Sequence, residues 1–251
     1  NKSKQKDINF VFVVRNIKKA QDHFFKNSNI LNKSDFLEIK HFEEIFKDSK
    51  KYEKYLQNSD IFINSSTPSI NLPIMNLALK YNTNYTDLAS DIYKDEIIST
   101  LKFDQQILEN EFKSQNLFAL INLGISPGIT NFLIGEKIHS LKNLPYEVKI
   151  KKLEINLLEE IQSKKLIFSW SPKVAIDELA FPPVFYKKNR PKTIEPFSKS
   201  KVYKFPYFRN IVDIYPVFQE ELISLKQSFP QIENLKLFVG GSEIELMKNL
   251  Y

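Results

Sequence analysis

Two clusters of small polar residues stand at the ends of apolar runs. Ile61-Phe62-Ile63-Asn64 leads into Ser65-Ser66-Thr67-Pro68, and residues 117–123 lead into Gly124-Ile125-Ser126-Pro127-Gly128-Ile129-Thr130-Asn131. Small side chains let a ligand approach the backbone, and hydroxyl or amide groups can satisfy its oxygens. Ligands of open α/β sheets bind at the carboxyl ends of strands, so two such ends read as the floor of a nucleotide cleft. Between them Asp87 closes a third segment, residues 84–88. A carboxylate at that place could orient an amine or relay a proton. Ser126-Pro127-Gly128 opens a helix whose amino terminus presents free N–H groups to an anion. The loop that would complete such a cleft, G-x-G-x-x-G, is absent, because the first glycine is Gly124.

The elements that must position these residues follow from periodicity. Residues 8–14 form a continuous apolar run, as in a parallel strand buried on both faces. Further strands are expected at 36–39, 61–64, 84–88 and 117–123, and helices at 43–56, 72–81 and 95–115. That alternation means βαβ units and a parallel sheet, here with no βα unit ahead of its first strand. Residues 8–14, 61–64 and 117–123 are expected to share one sheet. After about residue 143 the pattern changes to short segments punctuated by prolines, with a strand at 166–170. The fold class is therefore α/β. Residues 1–127 form a truncated Rossmann-like domain that lacks its first βα unit. Residues 128–251 form a second, α+β domain with an antiparallel sheet. The division is placed near residues 124–143.

Composition narrows the function classes. A chain of 251 residues can bury a sizeable core. No apolar run approaches the roughly 20 residues of a membrane span, so no membrane role is expected. No signal peptide is evident. Zero cysteines excludes disulfides, thiolate catalysis and cysteine-ligated metal, and fits a cytoplasmic protein. The net charge of +6 is carried mostly by scattered lysines rather than a basic stripe with aromatics, which argues against nucleic acid. His23, His41 and His139 have no partner at metal-ligand spacing, so no metal is expected.

Several stretches resemble the saccharopine dehydrogenase family. They are residues 63–68, Asn71-Leu72-Pro73-Ile74-Met75, Tyr85-Thr86-Asp87-Leu88-Ala89 and residues 124–131. More specific are Phe168-Ser169-Trp170-Ser171-Pro172, then Asp177-Glu178, then Glu195-Pro196-Phe197. The resemblance runs from about residue 8 to about residue 241. It implies an NAD(P)-dependent oxidoreductase, often a homodimer, that makes or breaks a secondary amine by hydride transfer to an imine carbon. The substrate would be an amino-acid or polyamine derivative, as in lysine metabolism or polyamine synthesis.

On that resemblance Arg15-Asn16 ends the second strand of the dinucleotide fold. With no acid there, an Arg accommodates a 2′-phosphate, which implies NADP; the plainer role is a surface Arg starting a helix. Ser65, Ser66, Thr67 and Pro68 would line the pyrophosphate or the nicotinamide ribose; the plainer role is a helix cap. Asp87 would be the catalytic acid, with Asp91 as second candidate and a structural hydrogen bond as the plainer role. Ser126, Pro127, Gly128, Thr130, Asn131, Trp170 and Ser171 would line the substrate; the plainer roles are a turn linking two domains for Ser126-Pro127-Gly128 and a core position for Trp170. The chain departs from the family pattern at both ends, as a fragment or a degenerate member would, and is expected to be inactive alone. A non-catalytic binding or scaffold protein on the same fold is the alternative.

Overall fold

The computed structural model describes residues 8–24, 34–90, 103–163, 171–173, 175–176 and 181–251. Strands β1 (Phe10–Val14) and β2 (Ser34–Glu38) pair in parallel, with Phe12 opposite Phe36. Side chains alternate across a strand. Val13 and Leu37 accordingly join a cluster around Ile39, Ile45, Tyr52 and Leu77, while Phe12 stacks on Phe10 and Phe36. Helix α1 (Ile17–Phe24) connects the pair. The single helix expected over residues 43–56 is instead α2 (Glu43–Lys47), a 3₁₀ turn (Ser49–Tyr52) and α3 (Glu53–Leu56). The break is at Asp48, whose φ of −137° and ψ of 68° lie outside the helical region. It lets Ile45 and Tyr52 bury in the same cluster.

Strands β3 (Ile61–Asn64), β4 (Asn84–Asp87) and β5 (Ala119–Leu120) form a second parallel ladder. Helices α4 (Asn71–Lys80) and α5 (Glu109–Ser114) cover one face of it, through Met75, Ala78 and Phe112 against Phe62 and Tyr85. A 3₁₀ turn (Asp104–Leu108) precedes α5, where a continuous helix over 95–115 was expected; residues 91–102 lie outside the described set. The expected seven-residue strand at 117–123 is two residues long, and beyond its end Asn122 adopts φ 64°, outside the extended region.

The parallel layer thus comes as two hydrogen-bonded pieces, β2–β1 and β3–β4–β5. One continuous ladder was expected. Among the described residues no strand joins β1 to β3, yet Val13 and Leu37 from one piece and Phe62 from the other rest on the same cluster.

The second sheet has six strands and is antiparallel, as expected, except where one strand joins it. Strands β7 (Val184–Lys187), β8 (Arg190–Thr193), β9 (Lys201–Lys204) and β10 (Ile211–Pro216) pair antiparallel with their neighbours. Strand β6 (Lys152–Leu158), however, runs parallel to the central β11 (Asn234–Gly240) along its whole length. Helices α6 (Ile129–Lys142) and α7 (Glu221–Ser228) bury Ile138, Leu222 and Leu225 against Leu235, Leu237 and Val239, and α8 (Ser242–Leu250) adds Ile244. The strand expected at 166–170 lies outside the described residues. Among the described residues no helix is long and apolar enough to cross a membrane.

Candidate functional site

The loop after β3 is held by amides. Asn64 accepts the Ser66 N–H at 2.9 Å through Oδ1 and donates through Nδ2 to Asn71 Oδ1 at 2.6 Å. Asn71 in turn donates to the Ala89 carbonyl at 2.9 Å and accepts the Tyr85 hydroxyl at 3.0 Å. This buried network ties the end of β3 to the end of β4. It presents Ser65 exposed and Ser66 and Thr67 half-buried, with Pro68 buried beneath them at the start of a 3₁₀ turn. Thr67 caps nothing with its side chain; its hydroxyl meets that of Ser69 at 3.0 Å.

Asp87 is 1% exposed, and both carboxyl oxygens are taken. Oδ1 accepts the Asn122 backbone N–H and Oδ2 accepts Gln105 Nε2, each at 2.8 Å. Burial pushes its pKa up, against the pull of these donors. Burial also raises the Tyr85 phenol far above its ordinary value, and the Asp87 charge adds to that. Among the described residues, buried polar atoms with no partner include both side-chain atoms of Asn122, Ser90 Oγ and Gln105 Oε1, and Asn122 and Gln105 are the residues that donate to Asp87. Asn122 is 8% exposed and Ser90 3%. Buried polar atoms are nearly always paired, so these unpaired ones mark a candidate contact point. Asp87→Asn turns one acceptor into a donor facing a donor. We expect it to lower stability by roughly 1–3 kcal/mol in chemical unfolding.

The third strand end is a tight turn. Gly124 and Gly128 bridge each other, the Ser126–Pro127 peptide is cis, and Gly128 takes φ 133° to start α6. The turn docks on α7. Ser126 Oγ donates to Glu221, and Asn131 Nδ2 donates to Ser224 Oγ at 2.7 Å. Thr130 Oγ turns back to the Ile125 carbonyl at 3.1 Å. Glu221 is fully buried, and its second oxygen has no partner. Burial raises its pKa, and the Glu159 charge adds to the effect; Glu159 is raised likewise by burial and by Glu243.

The structure therefore brings Ser65, Ser66, Thr67 and Asp87 together with the turn of Ser126, Pro127, Gly128, Thr130 and Asn131, through Asn71 and Asn122. The Leu123 N–H also bonds the Asp87 carbonyl at 2.8 Å. Ser171 is half-buried and its carbonyl accepts the Ala175 N–H; Trp170 and Asp91 lie outside the described residues. Asn16 caps α1, its Oδ1 accepting the Lys19 N–H at 2.7 Å. Arg15 is exposed at the tip of β1. Beside it a cleft of about 310 Å³ is lined by Asn16, Lys18, Lys19 and Asp22. Among the described residues no three His, Cys, Asp or Glu converge as metal ligands. Sequence reasoning missed Asn122 and Glu221. Asn122 carried a signal, an amide at a strand end; Glu221, 95 positions from Ser126, carried none.

No family model and no curated protein matches the chain. Solved structures do. Saccharopine dehydrogenase (L-Glu forming) from Saccharomyces cerevisiae superposes with a TM-score of 0.65 at 17% identity, over 94% of this chain. Homospermidine synthase from Legionella pneumophila, solved in complex with NAD, superposes with a TM-score of 0.59 at 13% identity, over 96% of this chain. The chain spans 50% of the length of the first and 67% of the second. The chain has the fold shared by these two enzymes, a Rossmann-like α/β domain joined to a second domain built on a large sheet.

Proposed function

We propose that the protein is an NADP-dependent oxidoreductase of the saccharopine dehydrogenase type. It acts on the C–N bond of a secondary amine or imine of an amino-acid or polyamine derivative. The observation that carries this reading is the group of orphaned buried polar atoms, Asn122 above all, at the carboxyl ends of β4 and β5. Strand ends are where this kind of sheet binds ligands, and the Asn122 side chain has the donor–acceptor pair that matches a carboxamide.

The residues fit a dinucleotide. Arg15, with Lys18 and Lys19 beside the cleft on α1, suits a 2′-phosphate. Ser65, Ser66 and Thr67 suit ribose and phosphate oxygens. Asn122 suits the nicotinamide amide. The cofactor, when bound, supplies or accepts the hydride. Asp87 is a positioning residue in this reading, since it fixes Asn122 and Gln105 from below. The turn of Ser126, Pro127, Gly128, Thr130 and Asn131 forms the substrate side, with Trp170 and Ser171 as further lining, and the protein works as a homodimer in the cytoplasm.

The test is Arg15→Ala in the complete protein, with both cofactors titrated by calorimetry. A charge-assisted contact to phosphate contributes about 1.5–3 kcal/mol. NADP should bind roughly ten- to a hundred-fold more weakly and NAD nearly unchanged. Equal loss for both would make Arg15 structural. No dinucleotide binding by the complete parent protein would favour the non-catalytic alternative.

A further inference from the structure

The net charge of +6 is scattered along the sequence, but the second sheet gathers part of it on one face. Side chains alternate across a strand. Ile155, Tyr186, Leu235 and Leu237 point to the core shared with α6, α7 and α8, so their neighbours point the other way. Register sets those neighbours in two rows across β8, β7, β11 and β6. Lys187 stands opposite Arg190, and Phe185 opposite Lys192. Leu235 pairs with Tyr186, which places Lys187 beside Asn234 and Phe185 beside Lys236. Asn234 and Lys236 in turn pair with Lys152 and Glu154. The first row is therefore Arg190, Lys187, Asn234 and Lys152, and the second is Lys192, Phe185, Lys236 and Glu154. Strands lie about 4.8 Å apart and alternate residues about 7 Å, so five cations share a patch of about 14 by 7 Å. Glu154, the acid of these rows, is taken by Lys201. Lys152, Lys187, Arg190 and Lys192 are exposed and make no ion pair among the described residues. Lys236 Nζ lies over the Phe185 ring, 5.6 Å from its centre. Like charges directly opposite one another destabilise a sheet, so Lys187 across from Arg190 works against folding and in favour of an anion.

We propose that this face binds a single-stranded nucleic acid, with phosphates over Lys152, Lys187, Arg190 and Lys192 and a base laid against Phe185 and Lys236. Chemistry selects the occupant. Cations track a nucleic-acid backbone, and an aromatic ring beside them takes a base of any sequence. Protein interfaces are poor in lysine and centre on large apolar anchors; Phe185 is half-buried and is the one apolar side chain of the two rows. A second copy would bring the same charge to the same face. No apolar side chain of the rows projects past the lysines to enter a lipid surface. A duplex groove admits a helix or a two-stranded ribbon, whereas these rows are four strands wide. The hairpin tip that carries the first row is held in place. The Lys188 N–H donates to Asn234 Oδ1 at 3.2 Å, the Asn189 N–H to the Glu233 carbonyl at 2.8 Å, and Lys226 Nζ to Asn189 Oδ1 at 2.6 Å. The proposal stands apart from the oxidoreductase reading and uses none of its residues.

The test titrates the complete protein into a fluorescein-labelled oligouridylate of about 12 nucleotides and reads anisotropy from about 50 to 200 mM KCl. Affinity should fall with salt at a log–log slope of about −2 to −3, as three or four phosphate contacts require. Lys187→Gln, Arg190→Gln and Lys192→Gln together should weaken binding by about ten-fold or more and flatten the slope by about 2. Phe185→Leu should weaken binding by about ten-fold and leave the slope unchanged. Lys47→Gln, Lys54→Gln and Lys137→Gln together remove the same charge from exposed positions on other elements, and that protein should bind like the parent. Both triple variants change exposed side chains only, so both should melt like the parent. No binding at the lowest salt overturns the proposal, and so does an equal loss in the control variant. Displacement of the oligonucleotide, at equal charge, by equimolar phosphatidylserine–phosphatidylcholine vesicles, by a duplex of the same length or by polyglutamate also overturns it, and assigns the face to a membrane, a duplex or an acidic chain.

Discussion

Gly128→Ala is expected to lower the unfolding temperature by about 10 °C. A Cβ at this position would meet the Gly124 carbonyl oxygen at 2.1 Å and the Gly124 nitrogen at 2.6 Å. Both are backbone atoms of the bridged turn, so neither can swing aside. The φ of 133° is also one that side-chain-bearing residues rarely adopt. Relieving either conflict opens the turn, and with it the Gly128 N–H to Asn131 contact at 3.1 Å and the docking of Ser126 and Asn131 on α7. Strain and lost contacts together amount to about 3–4 kcal/mol, and 1 kcal/mol is roughly 2–4 °C for a chain of this size. Gly124→Ala should follow in the same direction but less far, because its Cβ meets the Leu88 carbonyl oxygen at 2.5 Å without the φ penalty. Calorimetry reads both; a Gly128→Ala protein melting within about 2 °C of the parent would show that the turn is not a rigid hinge.

Stability should fall as pH rises above the ordinary carboxylate range, and Glu221→Gln should remove part of that fall. The Glu221 carboxyl is held above its ordinary value of 4.5 by burial. Its proton is therefore bound more tightly in the folded than in the unfolded chain. The resulting stabilisation is complete below the unfolded value and is lost as pH climbs through the folded one. Glu159 and Asp87 are shifted in the same direction and add to the slope. Glutamine keeps an acceptor for Ser126 and carries no charge to desolvate. At pH 8 it should be more stable than the parent, with the difference vanishing near pH 4. Thermal melts of the two proteins across that range measure it. A Glu221→Gln protein that is less stable at pH 8 would mean that the carboxylate is ionised and matched by a cation.

Strands β1, β3 and β4 were legible in the sequence because each is an apolar run closed by polar residues. What failed was local geometry and long-range pairing. Asp48 breaks a helix whose composition is helical throughout. The strand at 117–123 has apolar content for seven residues, but the Asp87 carboxylate captures the Asn122 N–H and the chain turns there. The parallel pairing of β6 with β11 left no trace either, since the alternation of one strand does not say which partner, or which direction, it will take. At the site, the hydroxyl loop and the glycine turn announced themselves by residue type. The contact of Ser126 with Glu221 joins residues 95 positions apart, and no window of sequence contains both.

The pairing of β6 with β11 also sets a timetable. Lys152 pairs with Asn234, which is 82 positions later (234 − 152). At about 5–20 residues per second of synthesis, β6 waits roughly 4–16 s for its neighbour to be made. Strands β7 and β10 wait for the same β11, whose other edge they share. Local ladders such as β7 with β8 and β9 with β10 can close in the meantime, but the sheet has no centre until β11 arrives. Nascent chains stalled before residue 234 should therefore remain open to protease throughout residues 152–216, and chains stalled far enough past residue 240 to clear the ribosome should become resistant in one step.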